Sequence, residues 1–214
     1  MKIIIMGAPG SGKGTQSQVI AEQYGIPHIS TGEMLRVAKE QDNERGLTIR
    51  TLIDAGKFVP DDMIIEIVKE RLSMSDCQNG YILDGFPRTV PQAQAMLDAN
   101  IPVEHVLEIQ VDDSLLVERI TGRLNHPSSG RVYHVKFNPP AVEGKDDVTG
   151  EDLVQRDDDK EEIVVERLKT YHNKTKPVLD FYKPLEDSHG IKYHVIEGTG
   201  EVEDISNQIF VALL

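Results

Sequence analysis

The feature that most constrains this chain is a glycine-rich segment near its start, between an apolar run and a helical pattern. Residues 2–6 read Lys-Ile-Ile-Ile-Met, a β-branched run that predicts a buried strand. Residues 7–15 follow as Gly-Ala-Pro-Gly-Ser-Gly-Lys-Gly-Thr, and residues 15–24 have helical spacing. This order is typical of a phosphate-binding loop, because backbone N–H groups and the helix dipole converge on an anion. Lys13 would add a mobile positive charge for the outer phosphates.

The loop departs from the general phosphate-loop pattern at one position. That pattern places Ser or Thr directly after the lysine. Here Gly14 follows Lys13, and the hydroxyl comes one place later, at Thr15. A glycine-rich turn without a ligand is the alternative, and the combination of strand, lysine and helix counts against it.

Strand-like and helix-like segments alternate along most of the remaining chain. The residues 60–72 have helical spacing, with Asp61 or Asp62 as a possible cap. Further short apolar runs, the last of them weaker, occur at 81–83, 106–111, 193–196 and 27–29. Alternation of this kind predicts an α/β fold with a parallel sheet covered on both faces, and ligands at the carboxyl ends of its strands.

Two segments interrupt this alternation. Residues 31–59 contain two short helical patterns and little that resembles a strand. Residues 122–159 hold several Pro and Gly residues among short Val, Tyr and Phe pairs, which predicts a small, turn-rich β insertion. The acidic run at 157–159 is expected to be a solvated helix start, because Asp favours helix N-termini.

Charge and cysteine content limit the classes of partner. Acidic residues number 36 against 23 basic ones in 214 residues, a formal net charge of −13 that disfavours nucleic acids and anionic membranes. The single cysteine, Cys77, excludes an internal disulfide and fits a reducing compartment. The N-terminal apolar run is too short for a signal peptide, and no run approaches a membrane span, so we expect a cytoplasmic protein.

A second set of polar residues follows the predicted strand at 81–83. Asp84 would project from the carboxyl end of that strand, where a carboxylate commonly orients Mg²⁺ directly or through its waters. Gly85 permits close backbone approach, and Arg88 offers a bidentate fork for phosphate. In the insertion at residues 31–59, Thr31 is a candidate helix cap and Arg36 follows one turn later.

The spacing of four polar residues in the second insertion is that of a zinc knuckle. His126 and Ser129 are three apart, as are Asp146 and Thr149. Zinc sites use this spacing with cysteines, and the Ser and Thr hydroxyls are poor zinc ligands. We therefore predict a polar cluster held by hydrogen bonds, without structural zinc.

Together these motifs resemble the adenylate kinase family, in its bacterial long-lid type without the zinc-binding cysteines. The resemblance extends from residue 1 to about residue 200 and rests on segments 7–15, 30–36, 84–92, 130–134, 144–150 and 156–158. It implies a P-loop nucleoside monophosphate kinase fold, a five-stranded parallel sheet flanked by helices. The core would comprise residues 1–29, 60–121 and 160–214, with a helical AMP-binding insertion at 30–59 and a β-rich lid at 122–159.

The resemblance also implies roles for individual residues. ATP would contact Gly10, Ser11, Gly12, Lys13, Gly14, Thr15, Arg119, Arg123, Val132, Tyr133 and Gly200. AMP would contact Thr31, Arg36, Lys57, Phe58, Val59, Gly85, Phe86, Pro87, Arg88, Gln92, Arg156 and Arg167. The catalytic set would be Lys13, Asp84, Arg88, Arg123, Arg156, Asp158 and Arg167.

The activity that the resemblance implies is Mg²⁺-dependent conversion of ATP and AMP into two ADP by a monomer. A kinase for UMP, CMP or another small acceptor is one alternative. A GTP-dependent switch is another, but its base-reading pattern Asn-Lys-x-Asp is missing, since residues 173–176 read Asn-Lys-Thr-Lys. A phosphate-loop protein without an acceptor would leave the arginines unexplained. Six of the ten arginines and Lys13 fall at matched positions, which predicts a positive cleft within a negative surface.

Overall fold

The computed structural model describes residues 1–54 and 59–214. Its centre is one five-stranded sheet in the order β2-β3-β1-β4-β7, with every neighbouring pair parallel. The strands are β1 (Lys2–Gly7), β2 (His28–Ser30), β3 (Tyr81–Asp84), β4 (His105–Gln110) and β7 (Lys192–Glu197). This confirms the predicted parallel α/β sheet.

Helices cover both faces of this sheet. Those in the first 122 residues are α1 (Lys13–Tyr24), α2 (Thr31–Lys39), α3 (Glu44–Asp54), α4 (Asp61–Leu72), α5 (Val90–Asp98) and α6 (Asp113–Thr121). Those in the last 55 residues are α7 (Glu161–Thr170), α8 (Lys176–Tyr182), α9 (Leu185–His189) and α10 (Val202–Ala212). A π-helical turn, Tyr171–Thr175, joins α7 to α8 without a break. Among the described residues, no helix combines the length and apolar character needed to cross a membrane.

The alternating side chains of β1 explain how the core is divided. Ile4 points into a cluster with α4, α5 and α8, while Ile3 and Ile5 point into a cluster with α1 and α10. All three are buried almost completely, as expected for a central strand with helices on both faces. Residues 8–12 therefore follow the carboxyl end of a central strand that is held firmly between helices.

The segment between α6 and α7 is small and turn-rich, as its composition predicts. Its two strands, β5 (Arg123–Asn125) and β6 (Val132–His134), pair antiparallel. An isolated bridge between Asn125 and Val154 joins the end of the segment to β5, and a second bridge joins Lys145 to Asp152. We call residues 123–156 the lid segment.

Several predicted boundaries and caps were wrong. Helix α1 begins at Lys13 rather than at Thr15, because Gly12 takes a left-handed conformation (φ 93°) that starts the helix earlier. Ser30, not Thr31, is the N-cap of α2 and accepts the Glu33 N–H. Pro60 occupies the N-cap position of α4, so neither Asp61 nor Asp62 caps that helix.

Candidate active site

The phosphate loop depends on glycines at positions where a side chain would not fit. Gly10 has φ 82°, and a Cβ there would lie 2.7 Å from Ile120 Cγ1. Gly12 also has positive φ and opens directly into helix α1. Residues 10–15 therefore bring backbone N–H groups and the positive end of α1 to one place.

Lys13 lies over this loop and donates from Nζ to the Ala8 carbonyl at 2.8 Å. Burial lowers the pKa of Lys13 to about 8, an effect that Asp84 opposes and that Arg88, Arg167 and Arg123 reinforce. A lysine whose ammonium is already poorly solvated and surrounded by other cations favours an anionic partner. A bound polyphosphate would supply one.

Asp84 stands at the carboxyl end of β3, opposite Ile5 of β1 and Ser30 of β2. Its Oδ2 lies 3.3 Å from His28 Nε2 and 3.7 Å from the position that a Cβ on Gly14 would take. Burial acts to raise the pKa of Asp84, but the His28 hydrogen bond and the Lys13 charge prevail and hold that pKa below its usual value. The residue is thus an ionised oxygen donor beside the phosphate loop, which suits Mg²⁺.

The acceptor side of the cleft is tied to the same strand end. Thr31 Oγ1 donates to the Gly85 carbonyl at 2.9 Å, so its hydroxyl serves this loop rather than a helix cap. Gly85 has φ 81°, and a Cβ there would approach Thr31 Oγ1 and Arg88 Nη2 to about 3 Å. Phe86 and Pro87, which follow Gly85 directly, are buried, and so is Val59, whereas Lys57 and Phe58 lie outside the described residues.

Two arginines converge beside Gly32. A Cβ on Gly32 would lie 3.4 Å from Arg36 Nη1 and 3.9 Å from Arg88 Nη2. The protein surrounding Arg88 lowers the pKa of its guanidinium, with further lowering by Arg167 and Arg36. Like charges held together in this way form a site for a multiply charged anion.

Gln92 is placed at the acceptor side with both ends of its amide engaged. Its Oε1 accepts the Arg88 backbone N–H at 2.7 Å, and its Nε2 donates to Asp61 Oδ1 at 2.6 Å. Because a backbone N–H only donates and a carboxylate only accepts, the orientation of this amide is unambiguous. A ligand would use the remaining N–H and the second lone pair of Oε1.

Two arginines on either side of the lid segment share an aspartate, Asp159, that sequence reasoning missed. Arg123 donates from Nε and Nη2 to the two oxygens of Asp159 at 2.8 and 2.5 Å. Arg167 Nη1 reaches the same carboxylate at 3.2 Å and Asp158 Oδ2 at 3.0 Å. The expectation that residues 157–159 are a solvated helix start was wrong for Asp159, whose side chain is 0% exposed.

Arg119, another predicted ATP contact, is held near the turn at Gly200. Its Nη1 donates to the Gly198 carbonyl at 3.0 Å, two residues before Gly200. Its guanidinium carbon is 6.0 Å from the centre of the Phe137 ring. Of the two predicted nucleotide contacts in β6, Val132 is exposed, whereas Tyr133 is buried and its hydroxyl donates to Asp146.

The four residues with zinc-knuckle spacing come together within the lid segment. His126 Nδ1 lies 2.7 Å from Ser129 Oγ, and His126 Nε2 lies 3.3 Å from Thr149 Oγ1. Asp146 accepts from Thr149 and from both Arg131 nitrogens, at 2.6 to 2.9 Å. Within residues 1–54 and 59–214, no group of three or more His, Cys, Asp or Glu side chains is arranged to hold a metal ion.

The site thus combines a glycine loop, one lysine, a carboxylate and arginines brought in from separate parts of the chain. Arg156 belongs to this group, because the pKa of its guanidinium is lowered by burial and by Arg123 and Arg36. A family model described as "Adenylate kinase" matches residues 5–186, most of the chain. The chain therefore belongs to the adenylate kinase family, whose members are nucleotide-binding phosphotransferases.

Proposed function

We propose that this chain is an ATP:AMP phosphotransferase that reversibly transfers the terminal phosphoryl group of ATP to AMP, giving two ADP. The observation that carries the proposal is the convergence of Lys13, Arg88, Arg123 and Arg167 near Asp84, close enough for the charges to shift the Lys13 pKa. One phosphate loop needs one lysine; a second anion beside it explains the additional arginines.

ATP would lie with its phosphates over residues 10–15. Lys13 Nζ would exchange the Ala8 carbonyl, 2.8 Å away, for an oxygen of the transferring phosphoryl group. The base would lie towards Arg119 and the turn at Gly200. Arg119 is held there through the Gly198 carbonyl.

The acceptor phosphate would lie between Arg36 and Arg88, beside Gly32 and Gly85. Gln92 offers an acceptor lone pair and an N–H side by side, a pattern that complements an adenine edge. Thr31 keeps the Gly85 carbonyl in place, which leaves the short turn after β3 open to the ligand. These features favour AMP as the acceptor.

The chemistry requires positioning and positive charge more than covalent participation. The acceptor oxygen must lie in line with the bond that breaks, and cations must surround the oxygens of the group in transfer. Arg123 and Arg167, both attached to Asp159, would supply those cations from the side of the lid. No general base is needed, because the attacking group is a phosphate oxygen that is already anionic.

The ionised carboxylate of Asp84 makes the site compatible with Mg²⁺. When bound, Mg²⁺ neutralises charge on the ATP phosphates and helps to align them. Asp84 would hold Mg²⁺ through a water molecule coordinated to the ion. The hydrogen bond from His28 Nε2 keeps the Asp84 oxygens oriented towards the phosphate loop.

Closure of both insertions would exclude water from the transferring group. We propose that residues 30–59 close over AMP and residues 122–159 over ATP, so that the arginines assemble only when both nucleotides are bound. In the cell the enzyme would act as a cytoplasmic monomer that balances adenine nucleotides, without zinc or nucleic acid.

A coupled assay of ADP formation from ATP tests the proposal, with AMP, CMP, UMP and GMP as acceptors and chelation of Mg²⁺ as a control. We expect strong preference for AMP, loss of activity on chelation, and little ATP hydrolysis without an acceptor. Equal use of all four monophosphates would refute the assignment of AMP. Binding of GTP without phosphoryl transfer to any of the four monophosphates would favour the GTP-dependent switch instead.

A further inference from the structure

The helical rod from α7 to α8 contains one turn that is wider than an α-helix. Residues Tyr171–Thr175 are π-helical, and Pro177 follows in the first turn of α8. Proline lacks an N–H, and its ring clashes with the carbonyl four residues earlier, here that of Asn173. The wider turn lets the rod continue past Pro177, and such turns frequently occur at functional sites.

The π turn makes two contacts outside the rod. His172 Nε2 lies 2.8 Å from Asp113 Oδ2 at the start of α6. Thr175 Oγ1 donates to the backbone carbonyl of Arg88 at 3.0 Å. The π turn thus joins the rod that carries Arg167 to the segment that carries Arg88.

The Thr175 contact completes a three-point attachment of Arg88. The Arg88 N–H donates to Gln92 Oε1, and the Arg88 Nε donates to the Gly85 carbonyl, each at 2.7 Å. Thr175 holds the carbonyl, the group that the other two contacts leave free to rotate. An arginine that binds a phosphate through a fork must be oriented as well as charged, because a small displacement spoils bidentate geometry.

We propose that Thr175 is a positioning residue that fixes the Arg88 peptide and so aims its guanidinium at the acceptor phosphate. The inference rests on the proposed function, because it takes Arg88 as the arginine that binds the acceptor. Thr175 acts only through Arg88. Thr175 is half-buried and Arg88 is exposed, so removal of the hydroxyl does not leave a deeply buried polar group without a partner.

Kinetics of Thr175→Val, Thr175→Ala and Thr175→Ser provide the test. Val keeps the β-branch and deletes the hydroxyl, Ala guards against a packing defect from Val, and Ser restores the hydroxyl. Ser73→Ala is the control for removal of a hydroxyl, because Ser73 Oγ donates to the Glu70 carbonyl at 2.7 Å at the exposed end of α4, outside both insertions. All variants are compared in KM for ATP, KM for the acceptor, kcat and thermal unfolding midpoint.

We expect Val and Ala to raise KM for the acceptor by about 5- to 10-fold, the value of one hydrogen bond, with KM for ATP within about twofold. The Thr175→Ser variant should restore KM for the acceptor, and Ser73→Ala should leave every constant unchanged. An unchanged acceptor KM, an equal rise for ATP, or a Ser variant as impaired as Val would each overturn the proposal.

The wild-type assay separates this proposal from the proposed function. Failure of the wild-type chain to prefer AMP refutes the choice of acceptor by itself. The ratio of variant to wild-type KM is then measured with the monophosphate that the wild type does use, together with calorimetric titration of that monophosphate. A ratio near one in both measurements refutes the role of Thr175.

Discussion

The phosphate loop and the lid segment both bring residues to the same cleft, but different forces hold the two regions in place. The phosphate loop follows β1, whose Ile4 is fully buried between helices. In the lid segment the deeply buried side chains include His126 and Asp146, while Val148 is 73% exposed. Apolar burial therefore determines where the loop lies, whereas hydrogen bonds and charge pairs determine the form of the lid.

This difference has consequences for how each region responds to change. Apolar burial does not depend on protonation and does not require a specific partner. A network around a charged group such as Asp146 depends on each member, and one lost partner leaves others unsatisfied. We therefore expect removal of a charge from the phosphate loop to change the free energy of unfolding little. Truncation of an apolar side chain in the lid segment should likewise change it little.

The largest expected effect comes from Lys13→Ala. This variant removes the ammonium that would contact the transferring phosphoryl group, and its loss should lower kcat by about 10³-fold. The free energy of unfolding should hardly fall, because burial already disfavours the charged form of Lys13. Lys145→Ala is the control on the lid side, where Lys145 pairs with an exposed Asp152. A kcat within tenfold of wild type for Lys13→Ala would contradict the role of Lys13.

The next largest difference between the two regions is expected in the free energy of unfolding after truncation of an apolar side chain. Ile4→Ala should lower the free energy of unfolding by about 2–5 kcal/mol, through lost burial and a cavity in the sheet core. Val148→Ala in the lid segment should change it by less than about 0.5 kcal/mol. Chemical denaturation of both variants checks this contrast, and similar losses would show that the lid relies on apolar packing after all.

The same contrast explains how much of the fold the sequence predicts. Runs such as residues 2–6 and 81–83 identify their strands, because β-branched residues buried on both faces leave a continuous apolar pattern. Strand β2 is weaker in sequence, since its three residues include only one fully buried apolar side chain, Ile29. The lid shows no such pattern, because most of its buried residues are polar, among them Asn125, His126, His134 and Asp146.

The site divides in a similar way. The glycine pattern around Lys13 and the position of Asp84 after a strand are visible in one linear segment each. In the sequence, Arg167 lies in a helix rich in glutamate and has the appearance of a solvated charge, and Asp159 has that of a solvated helix start. Their pairing depends on a turn, Asp157–Asp159, that folds the chain back onto α7. Only the folded structure brings that pairing out.

Asp159→Asn should test whether charge pairing holds the lid arginines. Loss of the carboxylate charge should loosen both Arg123 and Arg167, and we expect kcat to fall by about 10- to 100-fold through misplacement of these cations. Asp157→Asn is a close control, because exposed Asp157 pairs only loosely with Lys160 at 3.7 Å. Steady-state kinetics of the two variants test this prediction. Equal kcat values would show that the Asp159 charge does not hold the arginines in position.

The smallest effect is a pH dependence set by Lys13. Its pKa of about 8 lies below the ordinary 10.5, so the free enzyme loses the Lys13 charge as pH rises above 8. The value of kcat/KM for ATP should then fall about tenfold per pH unit, since this parameter reports the free enzyme. The kcat profile should decline only at higher pH, because bound phosphates favour the ammonium. Lys13→Arg keeps its charge and should remove the decline near pH 8.

The Lys13 contribution to the free energy of unfolding should rise with pH over the interval in which kcat/KM for ATP falls. Between pH 8 and 10.5 the unfolded chain keeps the Lys13 proton that the folded chain has lost. Unfolding then takes up a proton, so the Lys13 contribution to the free energy of unfolding rises with pH across this window. Falling kcat/KM together with a rising Lys13 contribution, measured as the difference in denaturation between wild type and Lys13→Arg, is a signature that a general alkaline loss of structure would not produce. A decline in both quantities would show that the loop, like the lid, depends on its charges to stay folded.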